Sequence, residues 1–334
     1  MHDWLLETWY GGVARGRWLQ PLAWLFAGAG ALRRLAYRSG LLARYRSSRP
    51  VIVVGNLTVG GTGKTPFVLW LATALAARGL RVGVASRGYR GAGGAARLIM
   101  GDEDAAIAGD EALLLRRRLG MPVAVATRRA DAVRLLEPQC DLVVADDGLQ
   151  HYALHRDLEI AVIDGSRGLG NGRMLPAGPL REPRARLDRV DAVVVNGAGF
   201  AWPGAMSMKL VPVAAVSLAD GSRRPLADFS RRTVHAIAAI GNPGRFFAML
   251  REHGLAVVEH PFPDHAAIAA EALPGNRTEP LLMTEKDAVK WRGERRDAWY
   301  VEVVADLDGV SATALMDRIV RLMPLRGEGV ADDR

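Results

Sequence analysis

The stretch Val51–Thr65 reads VIVVGNLTVGGTGKT. An apolar β-branched run ends at Gly55, a glycine-rich turn follows, and Gly63-Lys64-Thr65 leads through Pro66 into an apolar helical segment. Strand, glycine loop, Lys-Thr and helix form the context a phosphate-binding loop requires. Glycines let backbone N–H groups converge on phosphate oxygens, and the helix N-terminus adds partial positive charge. The cradle would comprise Thr58, Val59, Gly60, Gly61, Thr62, Gly63, Lys64 and Thr65. Lys64 would reach the β- and γ-phosphates, and the Thr65 hydroxyl would ligate Mg²⁺. The usual pattern places glycine five residues before Gly63, where this chain has Thr58.

Acidic and basic groups recur at the ends of later apolar runs. Asp146-Asp147 closes one such run, where a phosphate-loop enzyme places the acid that holds Mg²⁺. Gln150 and His151 follow within a turn and could orient phosphate or substrate. Arg87-Gly88-Tyr89 ends another run, and its arginine suits a γ-phosphate or an anionic substrate group, though an ordinary ion pair fits it too. Gly109-Asp110-Glu111 opens a helix. Aspartate is a favoured N-cap, so position alone leaves open whether Asp110 caps the helix or accepts a hydroxyl proton. Loose phosphoryl-transfer transition states ask for positioning more than base strength. The run 164–184 is Gly/Pro-rich and basic, and carries Asn171 and Arg181. Loops of that length in a compact domain are functional or disordered, and the arginines suit an anionic substrate. Pro263-Asp264-His265 holds a histidine whose role the residues alone do not define.

The elements that must position these groups alternate. Strands are expected near 51–55, 81–86, 122–126, 141–146, 159–163 and 191–195, with helices near 66–78, 110–119 and 129–136. Several strands are apolar throughout, as when helices cover both faces. The fold class read from this is α/β: a phosphate-loop type, doubly wound, mostly parallel sheet with a second, smaller α/β unit. That second unit is expected to hold strands near 233–240, 255–259, 280–284 and 298–304 and a helix near 244–252. The division expected is 1–48 as an aromatic and basic segment, 49–210 as the phosphate-loop unit, 211–325 as the smaller unit, and 326–334 as a frayed tail.

The chain has 334 residues, of which 49% are hydrophobic, enough for a real core. One cysteine, Cys140, excludes an intrachain disulfide framework and any cysteine-based zinc site. The net charge is +8, and residues 1–50 carry +6 of it: eight Arg against Asp3 and Glu7. A nearly neutral remainder argues against a nucleic-acid-binding body. Trp4, Trp9, Trp18, Trp24, Phe26 and Tyr37 interleave with those arginines around an uncharged run of 15 residues, Trp18–Leu32. Spanning a bilayer takes about 20 apolar residues. An amphipathic helix at a membrane interface fits better, with rings at headgroup level and arginines on anionic lipid; a helix packed on the protein body is the plainer alternative.

In this order, VGNLTVGGTGKTP, SRGY, GDE, DDGLQH, GNGRMLPAGPLREP, FPDH and TEKD resemble the tetraacyldisaccharide 4′-kinase family of lipid A synthesis. The resemblance spans nearly the whole chain, and Thr58 is shared by the family. It implies ATP and Mg²⁺ as cofactors and phosphate transfer to the 4′-hydroxyl of a tetraacylated glucosamine disaccharide 1-phosphate. It also implies a peripheral place at the cytoplasmic face of the bacterial inner membrane, with no obligate protein partner. Lys64, Asp110 and His265 would be catalytic, the latter two as a pair. Thr65, Asp146 and Asp147 would hold the metal, and Arg87, Tyr89, Glu111, Gln150, His151, Asn171 and Arg181 would meet substrate or phosphate. Two positions depart from the family pattern: Ala112 follows GDE in place of proline, and Arg90 follows SRGY in place of glycine. A soluble kinase or ligase for a small substrate would leave the aromatic and basic N-terminus unexplained, and a membrane-surface nucleotide switch would need no acceptor site.

Overall fold

The computed structural model describes residues 2–11, 16–87, 95–103, 105–264, 266, 268, 279–291 and 297–323. Helix α1 (His2–Tyr10) and, after a 3-10 turn at Arg17–Leu19, helix α2 (Gln20–Arg38) open the chain. Pro21 sits in the first turn of α2, where its missing N–H leaves no bond unmade. Strand β1 (Val51–Gly55), helix α3 (Lys64–Ala76) and strand β2 (Val82–Ser86) follow. The chain then forms β3 (Arg97–Ile99), the single turn α4 (Ala105–Ala108), α5 (Asp110–Leu119) and β4 (Val123–Val125). Next come α6 (Arg129–Leu136), β5 (Leu142–Asp146), β6 (Leu158–Asp164) and β7 (Ala192–Asn196). The last part holds β8 (Met206–Ser217), β9 (Arg223–Arg224), β10 (Thr233–Ala238), α7 (Pro243–Glu252) and β11 (Ala256–Pro261). It ends with β12 (Leu281–Thr284), α8 (Glu285–Lys290), β13 (Ala298–Leu307) and α9 (Gly309–Val320).

These strands form one sheet in the order β11-β10-β12-β13-β8-β7-β6-β1-β5-β2-β4-β3, with β9 on β8. Pairing is parallel except at β8–β13, β8–β9 and β3–β4. The sheet is doubly wound. Ile52 and Val54 of β1 face a layer with Phe67, Leu71 and Leu75 of α3 and Leu113 and Leu115 of α5. Val51 and Val53 face the opposite layer, with Val133 and Leu136 of α6. Both layers bury β1 completely, which is why its sequence does not alternate.

The helices expected at 110–119 and 129–136 have those bounds, and left-handed Gly120 ends α5. The helix expected from residue 66 starts at Lys64, because Gly63 is its N-cap. Residues 210 and 211, the expected division, lie inside β8. That strand pairs with β7 at Met206–Met208 and with β13 from Met208 to Ser217, so the sheet is continuous through them. Helix α9 buries Leu315, Met316 and Ile319 in the layer of α3. In the other direction, α7 covers β10, β12 and β13 with Phe246, Phe247 and Leu250. The N-terminus docks on the 164–184 loop: Trp9 Nε1 donates to the Pro176 carbonyl at 3.0 Å, and Leu19 and Ala23 pack on Ala177.

Candidate active site

Strand β1 delivers the glycine loop to the carboxyl edge of the sheet. The loop is held at several points. Asn56 Nδ2 donates to Gly60 O at 3.2 Å, Val59 N donates to Pro179 O at 2.9 Å, and Asn196 Nδ2 donates to Thr62 O at 3.0 Å. Gly60 (φ +105°) and Gly63 (φ +93°) are left-handed, and a Cβ on Gly63 would lie 2.1 Å from Asn196 Nδ2. Only glycine fits there. Because Gly63 is the N-cap and has no side chain, no side-chain cap bond covers the start of α3. Its first N–H groups face the cradle, as an anion site requires.

The end of β5 meets this loop. Asp147 stands at φ +49°, a strained setting for a non-glycine residue. Its carboxylate lies 3.5 Å from Lys64 Nζ and 3.2 Å from Arg181 NH1. Burial works to raise its pKa, but Lys64 and Arg181 outweigh burial and hold it well below the usual carboxylate range. Asp146 is buried, and burial together with Glu111 pushes its carboxyl up to about 7. Its Oδ1 has no hydrogen-bond partner among the described residues. Behind the pair lies Arg129, the first residue of α6, fully buried and donating to the Asp146 carbonyl at 2.6 Å. Burial pushes this guanidinium down to about 10.

Asp110 does not cap α5. Gly109 is the N-cap, and Asp110 is the first helical residue, buried, with Lys290 Nζ 3.8 Å from its Oδ2. Beside it, Glu111 Oε1 lies 3.0 Å from Lys286 Nζ. Burial opposes the charge on Glu111, but Lys286 and Lys64 together hold its pKa below the usual range.

A cavity of about 560 Å³ opens from Gly61–Thr65. Its walls are the Asn196–Ala198 turn after β7, Leu69 and Leu114, Val301 and Val303 of β13, and the Ile240–Asn242 loop with Phe246 and Met249. Gly241 rests on the glycine loop so closely that a Cβ there would lie 2.1 Å from Gly61 N. Arg167 donates to the Gly241 carbonyl, and Asn242 Nδ2 donates to Asp164 Oδ2 at 2.9 Å.

The family model described as tetraacyldisaccharide-1-P 4′-kinase matches residues 15–321. The chain belongs to the tetraacyldisaccharide 4′-kinase family. It is 46% identical over 326 residues to the tetraacyldisaccharide 4′-kinase of Methylobacillus flagellatus, covering 96% of this chain and 97% of that protein. It is 50% identical over 324 residues to that of Azotobacter vinelandii, covering 94% and 95%. A crystal structure titled as the "apo" form of LpxK from Aquifex aeolicus in complex with ATP matches with a TM-score of 0.76 and 30% identity, over 92% of this chain and 99% of that one.

Within this 4′-kinase fold the expected residues are not all gathered in one place. Thr58–Thr65, Asp146, Asp147 and Arg181 gather at the loop, Glu111 lines the cavity that opens from it, and Asp110 lies next to Glu111 in the first turn of α5. Arg87 is exposed at the end of β2. Gln150 Nε2 donates to Asn56 O at 3.2 Å and to Glu182 at 3.0 Å, bracing the loop from beneath. His151 is pushed down to about 4 by burial and by Arg129 and Arg87, so it is neutral at pH 7. Asn171 binds its own loop and α1, through the Ala177 carbonyl at 2.9 Å and the Thr8 carbonyl at 3.1 Å. Tyr89 and His265 lie outside the described residues. Sequence reasoning did not single out Asn196, Arg129, Lys286 or Lys290. Of these, Lys286 had a local signal, the charged TEKD turn at the end of an apolar strand; Lys290 lies three residues beyond it.

Proposed function

We propose that the protein transfers the γ-phosphate of ATP to the 4′-hydroxyl of a tetraacylated glucosamine disaccharide 1-phosphate. The observation that carries this is the pairing of Lys64 with Asp147 at the glycine loop, with Glu111, the neighbour of Asp110, lining the cavity that opens from that loop, in a chain similar over its length to 4′-kinases. Backbone N–H groups of Gly60–Thr65 bind the phosphates, and Lys64 exchanges Asp147 for the β- and γ-oxygens. Arg181, released from the same carboxylate, adds a second positive group at the transferring phosphate. The apolar cavity beside the loop suits the nucleotide base, with Phe246 and Met249 on its wall.

The residues fit Mg²⁺. No three acidic, histidine or cysteine side chains gather into a metal cage among the described residues. Mg²⁺ needs only one or two carboxylates beside substrate phosphates. Thr65, Asp147 and the unpartnered oxygen of Asp146 would hold it. Bound there, the ion neutralises charge on the transferring phosphate. Asp110 accepts the proton of the 4′-hydroxyl, and His265 supports it as the other half of the pair.

The lipid is met at a membrane surface. The 3-10 turn and helix α2 leave Trp18, Trp24, Leu25, Leu32 and Leu35 exposed, Trp18 at 71% and Leu25 at 70%, while exposed Arg33 and Arg38 lie in the C-terminal half of α2. No helix among the described residues is long and apolar enough to cross a membrane. A helix lying in the headgroup region of the inner membrane's cytoplasmic face, where the arginines meet anionic lipid, places the cleft beside its substrate.

Label transfer from γ-labelled ATP in mixed micelles tests the reading. Labelled lipid should form only with Mg²⁺, and Lys64→Ala should cut kcat by about 100- to 1000-fold. Free labelled phosphate without labelled lipid would overturn it.

A further inference from the structure

The two lysines of α8 are not used by the chemistry above, and their surroundings are unusual. Helix α8 is itself firmly fixed. Thr284 caps it by accepting from Asp287 N, and buried Asp287 accepts from Ala239 N at 3.0 Å at the end of β10. Lys286 and Lys290, four residues apart, project from one face. Each ammonium touches two separate elements. Lys286 Nζ lies 3.0 Å from Glu111 in the first turn of α5 and 3.5 Å from Asp264. Lys290 Nζ lies 3.1 Å from Asp287 of its own helix, and beyond it reaches Asp110 in the same α5 turn at 3.8 Å and donates to the Ala266 carbonyl at 3.4 Å. Asp264 and Ala266 belong to one tight turn, closed by Ala266 N donating to Pro263 O at 3.0 Å.

Fastening α5 to α8 does not require these lysines. Arg118 at the other end of α5 already bonds Glu285 at 2.7 Å and Glu302 at 3.1 Å. What the lysines add is the third party, the 263–266 turn. Withdrawing two ammonium groups from water is costly unless several acceptors compensate, and here the acceptors come from both elements at once.

We propose that Lys286 and Lys290 are positioning residues, a two-ammonium clasp that docks the 263–266 turn onto the first turn of α5 and so fixes Asp110 and Glu111 in place for transfer. The clasp rests on the reading of Asp110 as the acceptor's base only for its effect on rate; the docking stands apart from it.

The test combines micelle kinetics with amide hydrogen exchange of peptides covering 109–114 and 262–266, in Lys286→Met, Lys286→Arg and Lys290→Met. Lys286→Met should lower kcat about 100-fold, the scale of a small misplacement, while KM for ATP moves by less than about threefold. Both peptides should exchange faster. Lys286→Arg, which keeps the charge, should recover most of the rate, and Lys290→Met should show the same pattern in milder form. Unchanged exchange in both peptides would overturn the clasp, as would a rise in KM for ATP that accounts for the whole loss. If Asp110→Asn retains full kcat while Lys286→Met still frees both peptides, the base assignment fails and the clasp stands.

Discussion

Asp146 and Asp147 are neighbours in sequence with opposite electrostatic settings. Asp147 points at Lys64 and Arg181, whereas Asp146 is enclosed with one oxygen unpartnered among the described residues. The folded-state pKa of Asp146, about 7, lies above the unfolded value, so the folded protein holds an extra proton between about pH 4 and pH 7. Stability from the neutral form is therefore full at low pH and declines as pH rises through that window. Asp146→Asn without metal should raise Tm by a few degrees at about pH 8, by less at about pH 5, and leave it nearly unchanged at about pH 3, while abolishing transfer. Mg²⁺ at the higher pH should raise Tm in the wild type and not in the variant; thermal denaturation scans check both. At this scale the sequence was legible where local pattern dictates chemistry: Gly63, Lys64 and the double acid announce themselves. Arg129 and Asn196 do not, because each enters the site only through a tertiary contact, Arg129 from α6 to the end of β5 and Asn196 from β7 to the glycine loop.

Among the elements, α2 and β8 behave differently as signals. The aromatic and basic composition of α2 suggests an interface, and in the structure α2 leaves Trp24, Leu25, Leu32 and Leu35 exposed. Ala23, 1% exposed, is the small residue that lets α2 approach Ala177. Ala23→Leu should overpack this contact and destabilise the protein by about 1–3 kcal/mol, read from denaturant unfolding. Trp24→Glu with Leu25→Glu should abolish flotation with anionic vesicles at little cost in stability, since both side chains are exposed. Strand β8 was missed because Pro212 interrupts it, and proline argues against a central strand. The structure accommodates it at a register shift opposite Glu302 and Val303, where Val213 is the extra residue. Helix α9 was missed as well, although Asp308 caps it by accepting from Ser311 N at 2.8 Å.

In the whole molecule, one sheet carries the loop and the elements that close over it. The alternation of strands and helices and the two-sided burial of the central strands follow from apolar runs and their spacing, so that part of the architecture could be read from sequence; the order of the strands across the sheet could not. The seating of Ile240–Asn242 on the glycine loop could not, because it joins residues 180 positions apart through backbone contact alone. Gly241→Ala should force this seat open, since a Cβ would lie 2.1 Å from Gly61 N. We expect kcat/KM for ATP to fall about tenfold or more with a small change in Tm, measured by steady-state kinetics. The central claim concerns where the phosphate goes. Phosphorus NMR of the lipid recovered after turnover tests it most directly. The expected product has a new phosphate monoester on the 4′-oxygen, formed by the wild type and absent with Lys64→Ala. A diphosphate at the 1-position, or inorganic phosphate with unchanged lipid, would contradict it.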